Sequence, residues 1–323
     1  MMRPTGRGVV VALVALCGFA SARLFGARSL NAVVVPAACA FVVAALLVAR
    51  VDRPRVVRGP PADGFPGDER RVSLAVEGDG AVVTVRDDLG SGLDGDATVR
   101  SVADGREARY DLVLRERGRH AVGPATVVAS DPFGLWRRSF ADVDSDEVTV
   151  YPAVVPLAIP PRALAAAVGA AGGRSEFEGV REYAPGDPLR DVNWKASAKR
   201  PDDYLVTTYA GDGTDGRLVV AVDVSEGGDP GLAAVAAASV VVACLDAGID
   251  VGLRTPAGSL APAGGVATRR RALELLADLD RASLASGKQE SARVVVRADA
   301  DGVALVVAGV ERSADDVLRE GPA

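Results

Sequence analysis

Two groups of side chains in the 323-residue sequence have types and spacings suited to chemistry. Asp223-Val-Ser225-Glu-Gly227 follows the apolar, β-branched run Leu218 to Val222, which places it at the C-terminal end of an expected strand. Open α/β sheets present ligands at that end. Asp223 and Ser225 carry oxygen atoms there. The competing role for the aspartate is to cap the turn that ends the strand. The second group lies in the polar block from Arg174 to Tyr209. There Ala184-Pro-Gly-Asp187 favours a tight turn, because proline presets its φ and glycine accepts a positive one. Asp187 followed by Pro188 then starts a helix as N-cap and first helical residue. Arg181 and Arg190 stand near Glu176, Glu178, Asp187 and Asp191. These arginines either pin the segment through bidentate ion pairs or join Lys195, Tyr183 and Trp194 in a surface for a protein partner or an anionic group.

Other chemistries lack their residues. Cys17, Cys39 and Cys244 have no CxxC spacing, and one histidine, His120, has no companion nucleophile or ligand nearby, so it reads as structural. No Gly-x-x-x-x-Gly-Lys-Ser/Thr loop occurs, and Gly211-Asp-Gly-Thr-Asp-Gly216 lacks the spaced carboxylates of a calcium loop. Residues 1–58 hold eight arginines and one aspartate, a local balance of +7, which leaves -13 for the rest of a chain of net charge -6. That sign opposes attraction to phosphate backbones, so no nucleic acid is expected as partner.

The elements that position these groups follow from hydropathy and periodicity. Gly8 to Ala22 is uncharged, and after Arg23 and Arg28 a second uncharged stretch runs from Ser29 to Ala49. The second stretch makes a helix of about 30 Å, the thickness of a bilayer core. The first reads either as a retained partner helix or as a signal peptide ending at Ala20-Ser-Ala22. Arg50, Arg53, Arg55 and Arg58 then place the C-terminal side of the second helix in the cytoplasm by the positive-inside rule. Gly59 to Gly67, rich in proline and glycine, reads as a linker. Runs at Arg71 to Glu77, Ala81 to Asp87, Arg109 to Arg115, Ala125 to Ala129 and Glu147 to Tyr151 predict a small sandwich. In the last third, Leu218 to Val224, Ile249 to Arg254 and Gly302 to Val310 read as strands. Gly231 to Ala247 and Thr268 to Ala285 read as helices, an alternation typical of βαβ crossovers.

The block around Arg181 also carries a likeness. Glu176, Phe177, Arg181, Tyr183, Gly186, Asp187, Arg190, Val192, Trp194 and Ala198 match the signature of the domain of unknown function 58 family, which the chain resembles. Asn193 stands where that signature has aspartate, and Lys199 where it has arginine. Asp131-Pro-Phe-Gly-Leu-Trp136 and Val150-Tyr-Pro152 are similar to the family's upstream landmarks. The resemblance implies a membrane-tethered protein with a von Willebrand factor A-like C-terminal part, in which an Asp-x-Ser-x-Ser motif helps hold Mg²⁺. On that likeness Asp223 and Ser225 are the candidate metal ligands, and Gly227 replaces the second serine. It also implies, as partner, a MoxR-type AAA+ ATPase.

The expected architecture is thus α/β: an N-terminal transmembrane helical hairpin (residues 1–58, helices near 8–25 and 29–49), a small β-sandwich (59–160), and a von Willebrand factor A-like open sheet (161–323) that ends after Val310. The expected function is a scaffold or adaptor in the cell membrane with cytoplasmic soluble domains. It binds the lipid bilayer and a protein partner through Arg181, Tyr183, Asp187, Arg190, Trp194 and Lys195. No residue is assigned as catalytic and no cofactor beyond Mg²⁺ is a candidate. The alternative is a Mg²⁺-dependent enzyme or ligand-binding protein acting on an anionic substrate.

Overall fold

The computed structural model describes residues 2–26, 28–141, 144–164, 166, 177–182, 205–209, 217–284, 292, 294–307 and 309–318. The chain divides into two compact units, Met1–Tyr151 and Pro152–Ala323. Two apolar helices and several β-sheets make it a mixed α/β protein.

In the first unit, a short strand β1 (Met2–Pro4) leads into α1 (Gly6–Phe25), which α2 (Asn31–Arg50) follows. Thr5 caps α1 by accepting a hydrogen bond from the Gly8 amide, and Gly26 ends it at φ 65°. Each helix has 20 residues, with mean hydropathy of 2.1 and 2.7 over its most apolar window, long and apolar enough to cross a membrane. Ten strands complete the unit, the rest being β2 (Arg55–Gly59), β3 (Glu69–Glu77), β4 (Val82–Leu89), β5 (Leu93–Asp94), β6 (Thr98–Val102), β7 (Glu107–Leu114), β8 (Gly118–Ser130), β9 (Trp136–Ala141) and β10 (Asp146–Val150). They form one sheet in the order β1-β9-β8-β4-β6, with β10 also on β8, and a second in the order β2-β3-β7-β5. Residues alternate in and out along β3, β4 and β7, as a half-buried pleated surface requires. Val72, Leu74, Val76, Leu112 and Leu114 from one sheet thereby share a core with Val83, Val85, Val127 and Val148 from the other.

One sequence expectation is corrected here. Gly59 to Gly67 is not a linker: Gly59 belongs to β2, and Gly64 donates to the Thr149 carbonyl while accepting from the Tyr151 amide. Asp63 accepts from the Thr149 amide and the Tyr151 hydroxyl, and Phe65 packs edge-on against Tyr151. Its backbone groups find partners on the end of β10, so prolines that forbid regular structure still leave an ordered strap. The break in contacts between the two units falls after Tyr151.

The second unit holds an antiparallel ribbon of β11 (Phe177–Glu182) and β12 (Leu205–Tyr209), and a six-stranded sheet. The sheet comprises β13 (Arg217–Val224), β14 (Asp250–Thr255), β15 (Gly258–Ala263), β16 (Val294–Asp299), β17 (Gly302–Val307) and β18 (Val310–Ser313), in the order β15-β14-β13-β16-β17-β18. β13 pairs in parallel with both β14 and β16, and the outer pairs are antiparallel. Between β13 and β14 runs α3 (Pro230–Asp246), started by the Asp229 carboxylate on the Gly231 and Leu232 amides with proline at its first turn. Its alanines and valines from Ala233 to Val242 are buried except the half-buried Val235, so it is a core helix apolar nearly all round.

The amphipathic α4 (Gly265–Ala277) stops eight residues before the expected Ala285. The expected strand Gly302 to Val310 divides into the hairpin β17–β18, with Gly309 at φ 84° in the turn. The fold then continues through α5 (Ala314–Val317) rather than ending after Val310. No strand is expected from sequence over Val294–Asp299, yet β16 pairs with β13 at the centre of the sheet.

Candidate functional site

The expected partner surface is reached only in part. Arg181 lies in β11, in register with Val206 of β12, so a segment expected to be irregular is a strand there. Tyr183, Asp187, Arg190, Trp194 and Lys195 lie outside the described residues.

Asp223 and Ser225 stand at the carboxyl end of β13, as expected. Asp223 is buried, and its Oδ1 accepts a 2.7 Å hydrogen bond from the Leu284 amide. The Ser225 hydroxyl donates to the Ala298 carbonyl at 3.0 Å, and its amide donates to the same oxygen at 2.9 Å. The same edge of the parallel strands carries Thr255, closing β14, and Asp299, closing β16. Thr255 exchanges hydrogen bonds with Gly258, and Asp299 accepts from the Asp301 amide, each holding its own turn. Sequence reasoning missed Asp299 because it assigned no strand to the residues before it. Among the described residues no three acidic, cysteine or histidine side chains are grouped to hold a metal.

A second constellation, at the junction of α1, α2 and the sandwich, is fully described. The turn Asp131-Pro-Phe-Gly134 has the composition of a type I turn: aspartate first, proline second, glycine fourth. The Gly134 amide donates to the Asp131 carbonyl at 3.0 Å, and Gly134 takes φ 66°, a region open to glycine. The buried Asp131 carboxylate accepts from the Phe133 amide at 2.9 Å and the Trp136 amide at 2.6 Å, which fixes the turn from inside. Both helices are fastened to this turn. The Thr5 hydroxyl donates to the Gly134 carbonyl, and the Thr5 amide to Leu135. Trp136 donates its indole N–H to the Phe41 carbonyl of α2 at 3.2 Å, and its ring meets Phe41 at 5.0 Å. Arg138 donates to the carbonyls of Ala49 and Val51, satisfying groups that a helix end leaves orphaned. Gly8 is where α1 lies directly on the Leu135 backbone, a contact any side chain would block. Beyond the turn, β1 pairs with β9 antiparallel, Met2 opposite Arg138 and Pro4 opposite Trp136.

Inside the sandwich sits an ionic cluster. Arg58 grips Asp87 through two hydrogen bonds of 2.6 and 3.1 Å and reaches Asp146 at 3.0 Å, while Tyr110 donates its hydroxyl to Asp87 at 2.7 Å. Burial by itself lowers the Arg58 pKa, but the two carboxylates outweigh it and hold the guanidinium above its ordinary value. Burial, and then the hydrogen bond to Asp87, push the Tyr110 hydroxyl well up. Arg58 is therefore neutralised within the fold. Arg53, for its part, donates to the Ala141 carbonyl. His120 meets the Glu116 carbonyl at 2.7 Å through Nε2, with its ring against Gly92.

No family model matches the chain, and no curated protein matches it. Among solved structures it is similar to a chain of the complex between zinc 2-glycoprotein and prolactin-inducible protein from human seminal plasma. That likeness has 16% identity over 31% of this chain and 96% of the other, with a TM-score of 0.24. A PKD domain of an M14-like peptidase from a Thermoplasmatales archaeon shares 18% identity over 31% of this chain and 94% of its own, at TM-score 0.22. A CARDB domain from Pyrococcus furiosus, solved with di-metal ions, shares 12% over 31% and 90%, at 0.21. Likenesses this low carry no argument for this chain.

Proposed function

We propose that the protein is a membrane-tethered scaffold or adaptor whose C-terminal α/β unit, read as a von Willebrand factor A-like open sheet, engages another protein. The observation that carries the tether is the junction: two apolar helices are exposed along Val10, Val14, Val33, Val43 and Leu47, and hydrogen bonds fasten α1 at its N-cap Thr5 and α2 midway, at Phe41, to the turn and first residue of β9. Exposed apolar surface of that extent asks for lipid. Pairing of β1 with β9 favours retention of the first helix, since cleavage after Ala22 would strip a strand from the sheet. It also sets Arg3 and Arg7 at the same end of the hairpin as Arg50 and Arg53, with Arg23 and Arg28 toward the other. That imbalance supports a multi-pass protein with its soluble units in the cytoplasm. The test is protease added outside intact cells to the full-length chain. Protection of everything beyond Arg58, with the chain in the membrane fraction, is the expected result; digestion there, or a freely soluble chain, removes the reading.

The adaptor assignment rests on the resemblance of the Arg181 to Lys195 block, which points to a MoxR-type AAA+ ATPase as partner. Arg181→Ala and Trp194→Ala are expected to reduce capture of such an ATPase while the second unit stays folded. Unchanged capture by both variants rejects the docking surface. The sharing of one strand edge by Asp223, Ser225, Thr255 and Asp299 favours a second reading, a Mg²⁺-dependent enzyme or binding protein for an anionic ligand. Mg²⁺ stabilises such a site by mass action, and Asp223→Ala abolishes the gain. No Mg²⁺-dependent rise in melting temperature dismisses it.

A further inference from the structure

We infer that the turn Asp131 to Trp136 is a membrane wedge, seated in the leaflet on the sandwich side beside α1 and α2. The inference rests on the reading that these helices span a bilayer. Phe133, at the tip of the turn, exposes 62% of its surface, yet the turn beneath it is held by Asp131, Thr5 and Trp136. A rigid turn that presents a large aromatic outward invites an apolar neighbour. The ring lines a shallow groove with Gly6, Arg7, Val10, Val11 and Leu135, so it is continuous with the lipid-facing side of α1.

Its depth follows from α2. Trp136 reaches the carbonyl of Phe41, and Arg50 is the first charged residue after it. The nine-residue step from Phe41 to Arg50 corresponds to about 13 Å along a helix axis. Between those two levels, Val42, Val43, Leu46 and Leu47 remain exposed, as lipid contacts would, while Ala44 and Val48 are buried. The turn therefore stands above the end of the apolar part of α2, not below it. Arg7, lining the same groove, marks the headgroup level, where its guanidinium meets lipid phosphates and its stem lies along apolar surface. Tryptophan with its N–H satisfied and phenylalanine facing outward suit the boundary between headgroups and acyl chains. A polar turn could not enter that layer, because its backbone would lack partners. Here the Asp131 carboxylate and the Thr5 hydroxyl supply them from within the protein.

The test is spin-label depth on the full-length chain in vesicles of phosphatidylcholine and phosphatidylglycerol, after replacing Cys17, Cys39 and Cys244 by alanine. Labels are placed singly through Phe133→Cys, Val14→Cys on α1 and Ala141→Cys at the far end of β9. The ratio of collisions with oxygen to collisions with a water-soluble nickel chelate is expected to fall in the order Val14, Phe133, Ala141, with position 133 severalfold above position 141. A Phe133 label as nickel-accessible as Ala141, while Val14 is shielded, overturns the wedge and leaves the spans standing. Nickel access at Val14 as well overturns both. In a Trp194→Phe background, an unchanged Trp136 emission spectrum in the Phe133→Cys chain verifies that the turn is intact.

Discussion

Asp87 in the sandwich and Asp223 in the α/β unit are both buried aspartates at strand positions, yet their surroundings answer the cost of a buried carboxylate differently. Asp87 faces a guanidinium and a phenol that approach from other strands, so its charge is matched by a charge. Asp223 accepts a backbone amide at the open end of a parallel strand. A charge-paired carboxylate in a closed sandwich is a structural fastener, since removing one member strands the other. A carboxylate held by an amide keeps its neighbourhood when its charge is removed. The second arrangement is the one that leaves a carboxylate open to exchange with a ligand.

Removing charge but not shape separates the two. Asp87→Asn is expected to destabilise the first unit by about 3–5 kcal/mol, because Arg58 stays buried with Asp146 alone. Denaturant unfolding followed by Trp136 fluorescence in a Trp194→Phe background measures it, and a loss below about 1 kcal/mol would deny that the cluster is a closed ion pair. Tyr110→Phe should cost about 1.5–3 kcal/mol by removing a hydrogen bond to a charged group. The sign for pH follows from the raised Tyr110 pKa: its stabilisation is complete below the ordinary phenol value of 10.0 and is lost as pH rises beyond it. The variant should therefore show a shallower alkaline decline in unfolding midpoint. Asp223→Asn is expected to cost less than about 1 kcal/mol, since its retained carbonyl oxygen still accepts from Leu284. A cost equal to that of Asp87→Asn would reveal a cation facing Asp223 and end the contrast. Least of all, Asp111→Asn should leave the melting temperature unchanged at neutral pH. The hydrogen bond from Arg71 holds this exposed carboxyl below its ordinary range, but solvent screens the pair.

Local patterns were legible and partnerships were not. The apolar run of β13, the helix α3 and the strands β3 and β7 all appear in the sequence with bounds close to the observed ones. Each is decided by residues within a few positions of one another. Arg58 reads as a juxtamembrane positive charge, and only the fold reveals its partners, 29 and 88 residues away. The strap from Gly59 to Gly67 has a linker's composition, but Asp63 and Gly64 meet β10 across a sequence separation that no local pattern encodes. Of the candidate site, Asp223 and Ser225 were legible because strand ends are local features. Asp131 to Trp136 was visible as a motif, but its place against α1 and α2 depends on Thr5 and Phe41.

The pairing of β1 with β9 also sets a timetable for biosynthesis. Thr5 waits for a partner 129 residues later in the chain. At roughly 5–20 residues per second, the N-terminus leaves the ribosome on the order of ten seconds before Gly134 exists. During that interval the helical hairpin is already made while its anchoring turn is not, so early insertion proceeds without it. A bulky tag fused ahead of Met2 would be carried to the edge of a finished sheet.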